Sequence, residues 1–147
     1  MSEHRATVEW QRSGEFQPES YSRCHTLRFD DIVVAGTAAP GNMPSPALGG
    51  PGVDPEQAFV GALSACHMLW FLYLAAQKKW VVERYVDEAV GILDKTWVAQ
   101  VTLKPVVTFS GRKPSEDEHK ALHHRAHEKC FIANSVKTKV LVDPCLK

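Results

Sequence analysis

The sequence has no surplus of charge of either sign. Its 147 residues include 17 Lys and Arg and 17 Asp and Glu, so the formal net charge at pH 7 is zero. A chain that binds nucleic acid or an anionic membrane through electrostatics needs a basic surplus to neutralise phosphates. Disordered tails combine high net charge with low hydrophobicity, whereas 44% of these residues are hydrophobic. We therefore expect one folded domain over residues 1–147, with neither nucleic acid nor a membrane as partner.

Cysteine is also scarce. The chain has four cysteines: Cys24, Cys66, Cys130 and Cys145. They are too few for a disulfide-rich scaffold, and their spacing fits neither a Cys-x-x-Cys pair nor a zinc site. Residues 1–5 do not begin an apolar stretch of the kind found in signal peptides. We therefore expect a cytoplasmic protein with no metal and no cofactor, in which a cysteine is either reactive or buried.

The alternation of apolar and polar residues predicts several short strands. These lie at residues 6–11, 21–29, 32–35, 84–93, 97–109 and 136–142. A loop rich in proline and glycine spans residues 38–52 and lacks the lysine of a phosphate-binding loop. With two helices, the order is β-β-β-α-β-β-α-β, in which strands and helices are segregated. This order favours an α+β fold with a mostly antiparallel sheet.

The clearest helix start in the sequence is at residues 54–57. Asp54 suits the N-cap, Pro55 suits the first helical position, and Gln57 completes a capping box. The pattern predicts a helix from Pro55 to about Gln77. Its residues are apolar on nearly every side, so we expect a long central helix that is buried on most sides.

The same helix is nearly long enough to span a membrane, over residues 58–76. Three polar or reactive side chains lie near the middle of that stretch: Ser64, Cys66 and His67. A membrane span would also stand alone between segments that have the pattern of strands in one fold. We therefore predict a core helix.

A second capping box, formed by Ser115 and Glu118, predicts the start of another helix. Leu122, Ala126 and Cys130 recur at every fourth position of this helix, so they share one face. A row of histidines has the same spacing: His119, His123 and His127. We interpret this row as a solvated helix face rather than as a metal site.

Cys66 and Cys130 each lie on a helix face that should point into the core. The residues alone allow two interpretations, small buried hydrophobes or reactive thiols. A reactive Cys66 requires a stabilised thiolate, which the dipole of its own helix cannot supply because the effect fades within the first turn. A cation from another segment would be needed, and Arg23 and Arg28 are the best candidates.

The residues around both cysteines resemble those of a known family. Residues 54–59 (Asp-Pro-Glu-Gln-Ala-Phe) and 62–68 (Ala-Leu-Ser-Ala-Cys-His-Met) resemble the central helix of the OsmC/Ohr family, the osmotically inducible protein C and organic hydroperoxide resistance proteins. Residues 127–135 (His-Glu-Lys-Cys-Phe-Ile-Ala-Asn-Ser) are similar to the second cysteine segment of that family. The resemblance covers most of the chain, from Ala6 to Val142.

The resemblance implies a cytoplasmic, intertwined homodimer with an α+β fold, sites at the subunit interface and thiol peroxidase activity. Cys66 would be the peroxidatic thiolate and Cys130 the resolving thiol. Arg23, or alternatively Arg28, would be the arginine of the site, and Glu56 would be the carboxylate that orients it. The substrate would be an organic hydroperoxide or hydrogen peroxide. An external dithiol of lipoyl or thioredoxin type would reduce the Cys66–Cys130 disulfide.

The spacing of Glu56 and Cys66 constrains such a site. Ten residues along one helix correspond to about 15 Å, which is too far for both groups to act easily in one small site of a single chain. Either Glu56 is only a favourable charge at the helix start, or it enters the site of a second subunit. The second option matches an intertwined dimer.

Two positions differ from the family pattern. Phe131 follows Cys130 where many relatives have proline, and His67 follows Cys66 where the organic hydroperoxide branch often has phenylalanine. The chain therefore resembles the broader OsmC side of the family.

Three aromatic residues near the cysteines could line an apolar pocket for a hydroperoxide: Trp70, Phe71 and Phe131. The alternative is that these rings pack in the core, where aromatic side chains commonly lie. A competing function is a non-catalytic domain of the same fold that binds a lipophilic ligand. It predicts unreactive cysteines, which thiol titration would detect.

Overall fold

The computed structural model describes residues 1–41 and 49–147. Two compact units are present, Met1–Ala58 and Phe59–Lys147. The boundary between the units lies inside the first helix. The middle of the predicted proline- and glycine-rich loop, residues 42–48, lies outside the described residues.

The first unit contains a small antiparallel sheet. Its strands are β1 (Thr7–Glu9), β2 (His25–Phe29) and β3 (Ile32–Gly36), in the order β1-β2-β3. Asp30 has φ 51° in the turn between Phe29 and Ile32, a left-handed conformation that aspartate tolerates better than most residues. The second strand is shorter than predicted because Tyr21 belongs to a turn, in which its N–H donates to the Gln17 carbonyl.

Helix α1 (Pro55–Gln77) begins and ends where the sequence predicts. The Gln57 N–H donates to Asp54 Oδ1 at 2.8 Å, and the Asp54 N–H donates to Gln57 Oε1 at 3.2 Å, so the capping box forms. The extent of burial differs from the prediction. Its buried side chains lie on one face: Leu63, His67, Phe71, Leu74 and Ala75. By length and composition α1 could also cross a membrane.

The second unit contains six strands in two sheets and one further helix. The strands are β4 (Val81–Asp87), β5 (Val90–Asp94), β6 (Trp97–Leu103), β7 (Pro105–Ser110), β8 (Lys139–Val142) and β9 (Cys145–Leu146). The sheet orders are β4-β7-β9 and β5-β6-β8. The β4–β7 and β5–β6 pairs are antiparallel, and β8 and β9 each add in parallel at an edge. The predicted α+β class with mainly antiparallel pairing is confirmed.

The two long strands predicted over residues 84–93 and 97–109 are each broken into two. Pro105 has no N–H to donate to a ladder. The N–H of Lys104 donates to Asp87 Oδ1 at 2.6 Å, and the other oxygen of that carboxylate accepts a hydrogen bond from Ser64. The strands therefore pass from one sheet to the other at this point.

Helix α2 (Glu116–Lys129) has the predicted capping box at its start. The Glu118 N–H donates to Ser115 Oγ at 3.2 Å, and the Ser115 N–H donates to Glu118 Oε2 at 2.9 Å. A 3-10 turn (Ala133–Ser135) follows. Two apolar clusters form the core of the second unit. One joins α1, α2 and β7 through Phe71, Leu74, Ala75, Trp80, Val107, Leu122 and Ala126, and the other contains Leu63, Val101 and Leu103. Both clusters contain residues of α1, so they determine which face of that helix is buried.

Candidate functional site

The Cys66 thiol is a neighbour of the Cys130 thiol in the second unit, near enough to contribute to raising the pKa of Cys130. Cys66 is partly buried on α1, and Cys130 is buried at the C-cap of α2. The Cys130 sulfur also accepts a hydrogen bond from the Ala133 N–H at 3.4 Å. The structure thus brings together the two cysteines that the sequence predicts to act as a pair. Cys24 and Cys145 are exposed.

The surroundings of Cys130 keep its thiol protonated. Burial raises the pKa of Cys130 to about 11. The neighbouring thiol acts in the same direction, whereas the backbone N–H groups of Ala133 and Ile132 act in the opposite direction. Because the thiolate is the nucleophilic form, this thiol needs a proton acceptor before it can react at neutral pH.

An apolar cavity of about 380 Å³ opens beside Cys66. Its walls are Leu69, Trp70, Tyr73 and Phe131, and the rings of Trp70 and Phe131 meet edge to face at 5.5 Å. The predicted pocket residues Trp70 and Phe131 therefore line the cavity. The signal that could have added Leu69 and Tyr73 is their position three and seven residues after Cys66, on one face of a helix.

Phe71 does not line this cavity. Its side chain is fully buried, and its ring stacks on the His123 ring with centroids 4.1 Å apart. Adjacent helical residues point about 100° apart, so Phe71 faces the core while Trp70 faces the cavity. The assignment of Phe71 to the pocket is corrected to the alternative, core packing.

Arg23 lies in the first unit, on a cavity of about 470 Å³ that Glu56 also lines. The Arg23 side chain is only 8% exposed, stacks on the Tyr21 ring at 3.6 Å and donates from Nη2 to the Pro18 carbonyl at 2.9 Å. Its Nη1 is buried and has no hydrogen-bond partner among the residues that the structure describes. Within the described residues, Arg23 and Glu56 form no ion pair, so the expected contact between them is not made in this chain. Arg28, the alternative arginine, is exposed on β2.

Aromatic rings form the apolar wall of this first-unit cavity. Trp10 and Phe16 are 5.6 Å apart between centroids, and Phe16 and Tyr21 are 5.2 Å apart. The sequence analysis missed this cluster because the predicted strands at residues 6–11 and 21–29 do not show which face of each strand is covered, and Phe16 lies outside any predicted element.

The histidine row of α2 is not a solvated face, which corrects the interpretation from the sequence. His119 and His123 are 2% and 1% exposed. His67 Nε2 lies 2.9 Å from His123 Nδ1, and His123 Nε2 lies 3.2 Å from His119 Nε2. The buried positions 119, 122, 123, 126 and 130 form one helical stripe, so the signal was present in the spacing.

Burial keeps these histidines neutral at pH 7. It lowers the pKa of His67 to about 4, with His127 acting in the same direction. It lowers the pKa of His123 to about 2, and the pKa of His119 is lowered as well. Within residues 1–41 and 49–147, no group of three or more His, Cys, Asp or Glu side chains is arranged to hold a metal ion.

Comparison with known proteins identifies the fold. Residues 48–144 match the family described as OsmC-like protein. A search of curated proteins finds no match. An OsmC-like protein of unknown function from Vibrio cholerae is 47% identical, with a TM-score of 0.90 over 99% of this chain and 100% of that one. An organic hydroperoxide resistance protein OsmC from Legionella pneumophila is 19% identical, with a TM-score of 0.67 over 99% of this chain and 97% of that one.

The α+β architecture and the family match define the class of protein. The chain belongs to the OsmC-like family, which confirms the resemblance seen in the residues around both cysteines. The fold is also shared by an OsmC-like protein from Mycoplasma pneumoniae, which is 15% identical with a TM-score of 0.76 over 99% of this chain and 97% of that one.

Proposed function

We propose that this protein is a thiol peroxidase that reduces organic hydroperoxides, with Cys66 as the peroxidatic thiolate and Cys130 as the resolving thiol. The observation that carries the proposal is that the two thiols are neighbours and that Cys66 lines an apolar cavity. The cavity supplies an apolar surface for the organic part of the substrate, and the thiol pair supplies two electrons. The name of the Legionella relative, an organic hydroperoxide resistance protein, supports the same substrate class.

The reaction proceeds in three steps. The Cys66 thiolate attacks the distal peroxide oxygen, an S–O bond forms, the O–O bond breaks, and the alkoxide leaves and takes a proton to become the alcohol. Cys66 is then a sulfenic acid. Cys130, after losing its proton, attacks that sulfur, a disulfide forms, and hydroxide leaves as water. An external dithiol reduces the disulfide by exchange through a mixed disulfide.

Arg23 is assigned the role of stabilising the thiolate and the charge that develops on the peroxide oxygens. Its buried Nη1, which has no partner within residues 1–41 and 49–147, supports this role, because that donor could bind an anion. Glu56 is assigned the role of orienting Arg23 through a charge-assisted contact. Since Glu56 and Cys66 are about 15 Å apart along α1, the proposal includes a homodimer in which a second copy completes each site.

The experiment mixes reduced protein with cumene hydroperoxide and, separately, with hydrogen peroxide, and follows the thiols by mass spectrometry. We expect a Cys66–Cys130 disulfide that forms faster with the organic substrate and is abolished in Cys66→Ser. Cys24→Ser is the matched control, because Cys24 is exposed, and should behave as the wild type. Arg23→Met should slow the first step by about 100-fold or more, and Arg28→Met should not.

Survival of both thiols in excess peroxide would contradict the peroxidase. In that case the apolar cavity beside Cys66 supports the second candidate, a domain that binds a lipophilic ligand without turnover. Binding of an unreactive alkylbenzene of the same size as the substrate, measured by calorimetry, would then identify that function.

A further inference from the structure

Three aromatic rings of the first unit pack together at the surface, and we call them the aromatic cluster: Trp10, Phe16 and Tyr21. The ring centroids are between 5.2 Å and 6.0 Å apart. Phe16 is nevertheless 61% exposed and Trp10 is 39% exposed, so the rings do not form a closed core. Contiguous exposed apolar surface of this kind usually marks an interaction site. We therefore looked for what the aromatic cluster binds.

Polar contacts hold the aromatic cluster in place. The Trp10 Nε1–H donates to the Ser22 carbonyl at 2.8 Å. The Arg23 guanidinium covers one face of the Tyr21 ring, 3.6 Å from its centroid, and donates to the Pro18 carbonyl. Because two of the three rings are already fixed, a ligand that packs on them has little conformational entropy to remove. The aromatic cluster is therefore a preformed wall.

The space beside the aromatic cluster suits a small molecule. The three rings line the first-unit cavity of about 470 Å³ together with Arg23 and Glu56. Small-molecule sites are typically cavities of about 300 to 1,000 Å³ that are mostly apolar and contain a few polar groups. Other walls of the cavity are short side chains, Thr37, Ala38 and Ala39. The rings are therefore the largest apolar groups that a ligand in this cavity could contact.

The charged side chains in the first-unit cavity favour a neutral head group on the ligand. Among the described residues that line it, Arg23 carries a positive charge and Glu56 a negative one. An ion of either sign would be attracted by one of them and repelled by the other. A head group that accepts a hydrogen bond from the guanidinium and donates one to the carboxylate satisfies both. A hydroperoxide group, which has an O–H donor and acceptor oxygens, is such a head group.

We propose that the aromatic cluster makes the protein selective for aromatic hydroperoxides, because a peroxide group at Arg23 places the aryl group of its substrate against these rings. The role rests on the proposed function, in which Arg23 stabilises the peroxide oxygens. Aromatic pairs gain energy beyond the burial of apolar area, so an aryl group is favoured over a branched alkyl group on the same peroxide. All three rings precede residue 48, where the match to the family begins, so this selectivity belongs to the N-terminal segment of this chain.

The test compares cumene hydroperoxide with tert-butyl hydroperoxide, which carry the same peroxide group on an aryl-substituted and an alkyl-substituted carbon. The measured quantity is the ratio of their kcat/KM values in the wild type and in Phe16→Leu. Intrinsic reactivity cancels when the two ratios are compared, and a general loss of activity leaves the ratio unchanged. We expect Phe16→Leu to lower the ratio about fivefold, which corresponds to about 1 kcal/mol for a lost aromatic contact. An unchanged ratio would overturn the proposal.

The matched control is Phe29→Leu, since Phe29 is 46% exposed on β2 of the same unit and does not line the first-unit cavity. This variant should keep the wild-type ratio. The cavity beside Cys66 also has aromatic walls, so Trp70→Leu is the second comparison. We expect it to change the ratio less than Phe16→Leu does. The reverse order would place the aryl group in the cavity beside Cys66 and would overturn the proposal.

A measurement on the wild type keeps the proposal falsifiable if Phe16→Leu does not fold. Cumyl alcohol, the unreactive product of cumene hydroperoxide, is added to the reduced protein and its phenyl protons are saturated in an NMR experiment. We expect the saturation to reach the ring protons of Trp10 and Phe16. Transfer that is confined to Trp70 and Phe131 would overturn the proposal.

The two proposals fail in different ways. Absence of thiol oxidation by either hydroperoxide would overturn the peroxidase and the selectivity with it. Normal turnover of both substrates, with the same ratio in the wild type and in Phe16→Leu, overturns the selectivity alone. If the ratio is unchanged but Phe16→Leu sediments with a different mass, the aromatic cluster is a contact with a second copy of the chain, and the proposal is overturned.

Discussion

Burial has opposite effects on the pKa values of Cys130 and of the histidines, and for one physical reason. An apolar environment disfavours the charged form, so the pKa of the acid Cys130 rises to about 11 and the pKa of the base His67 falls to about 4. All of these groups are therefore neutral at pH 7. Burial therefore keeps the thiol and the imidazoles uncharged, although one is an acid and the others are bases.

At the residue scale we predict that the free energy of unfolding decreases as the pH falls below 6.5. His67 binds a proton near pH 6.5 when unfolded and near pH 4 when folded, so the unfolded state binds more protons between these values. The stability contribution is complete above pH 6.5 and is lost as the pH falls toward 4. His67 and His123 each contribute a slope of at most about 1.4 kcal/mol per pH unit in that window.

Urea denaturation at pH 7, 6 and 5 measures this slope. His123→Phe should reduce the slope, because it removes one of the groups that must be kept neutral, whereas His124→Gln should leave it unchanged. Equal slopes in the wild type and His123→Phe would contradict the prediction.

At the scale of secondary structure elements, the helices follow the sequence closely and the strands do not. Both helix starts are specified locally, by Asp54 with Gln57 and by Ser115 with Glu118. The division of β4 from β5 and of β6 from β7 depends on Asp87, which is distant in sequence from Ser64 and Lys104. A period of two along a strand carries no information about such a contact.

We predict that Asp87→Ala lowers the free energy of unfolding by about 2 kcal/mol, since it leaves the Lys104 N–H and the Ser64 hydroxyl without their partner. The neighbouring residue Glu88 is exposed, so Glu88→Ala is the matched control and should change the stability by less than about 0.5 kcal/mol. Thermal and urea unfolding of the two variants give the comparison. A similar loss in both would show that the Asp87 carboxylate is not what holds this junction.

At the scale of the whole molecule, α1 leaves large apolar side chains uncovered in a single chain. Leu69 is 63% exposed and Tyr73 is 55% exposed, and both lie on the cavity beside Cys66, next to Phe131. Contiguous exposed apolar surface of this kind usually marks an interaction site. The proposed homodimer would cover it and would place a second copy against the cavity.

We therefore predict that the protein sediments with twice the mass of one chain, and that Leu69→Asp shifts it toward the monomer. A charge at this position would have to be buried in the interface without a partner, which is costly. Lys120→Asp, at an exposed position of α2, is the control and should keep the mass of the wild type. A wild-type protein that sediments as a single chain at micromolar concentration would contradict the homodimer.

The sequence by itself determined the family and both helices and indicated Cys66 and Cys130 as the candidate pair, because caps, helical periods and the residues around each cysteine are local patterns. Only the tertiary structure decided that His119 and His123 are buried against His67, that Phe71 belongs to the core while Leu69 and Tyr73 line the cavity, and that Asp87 divides the strands. Each of these outcomes depends on which face of an element meets a residue distant in the chain. A local pattern defines the faces of a helix or strand, and packing decides which of them is covered.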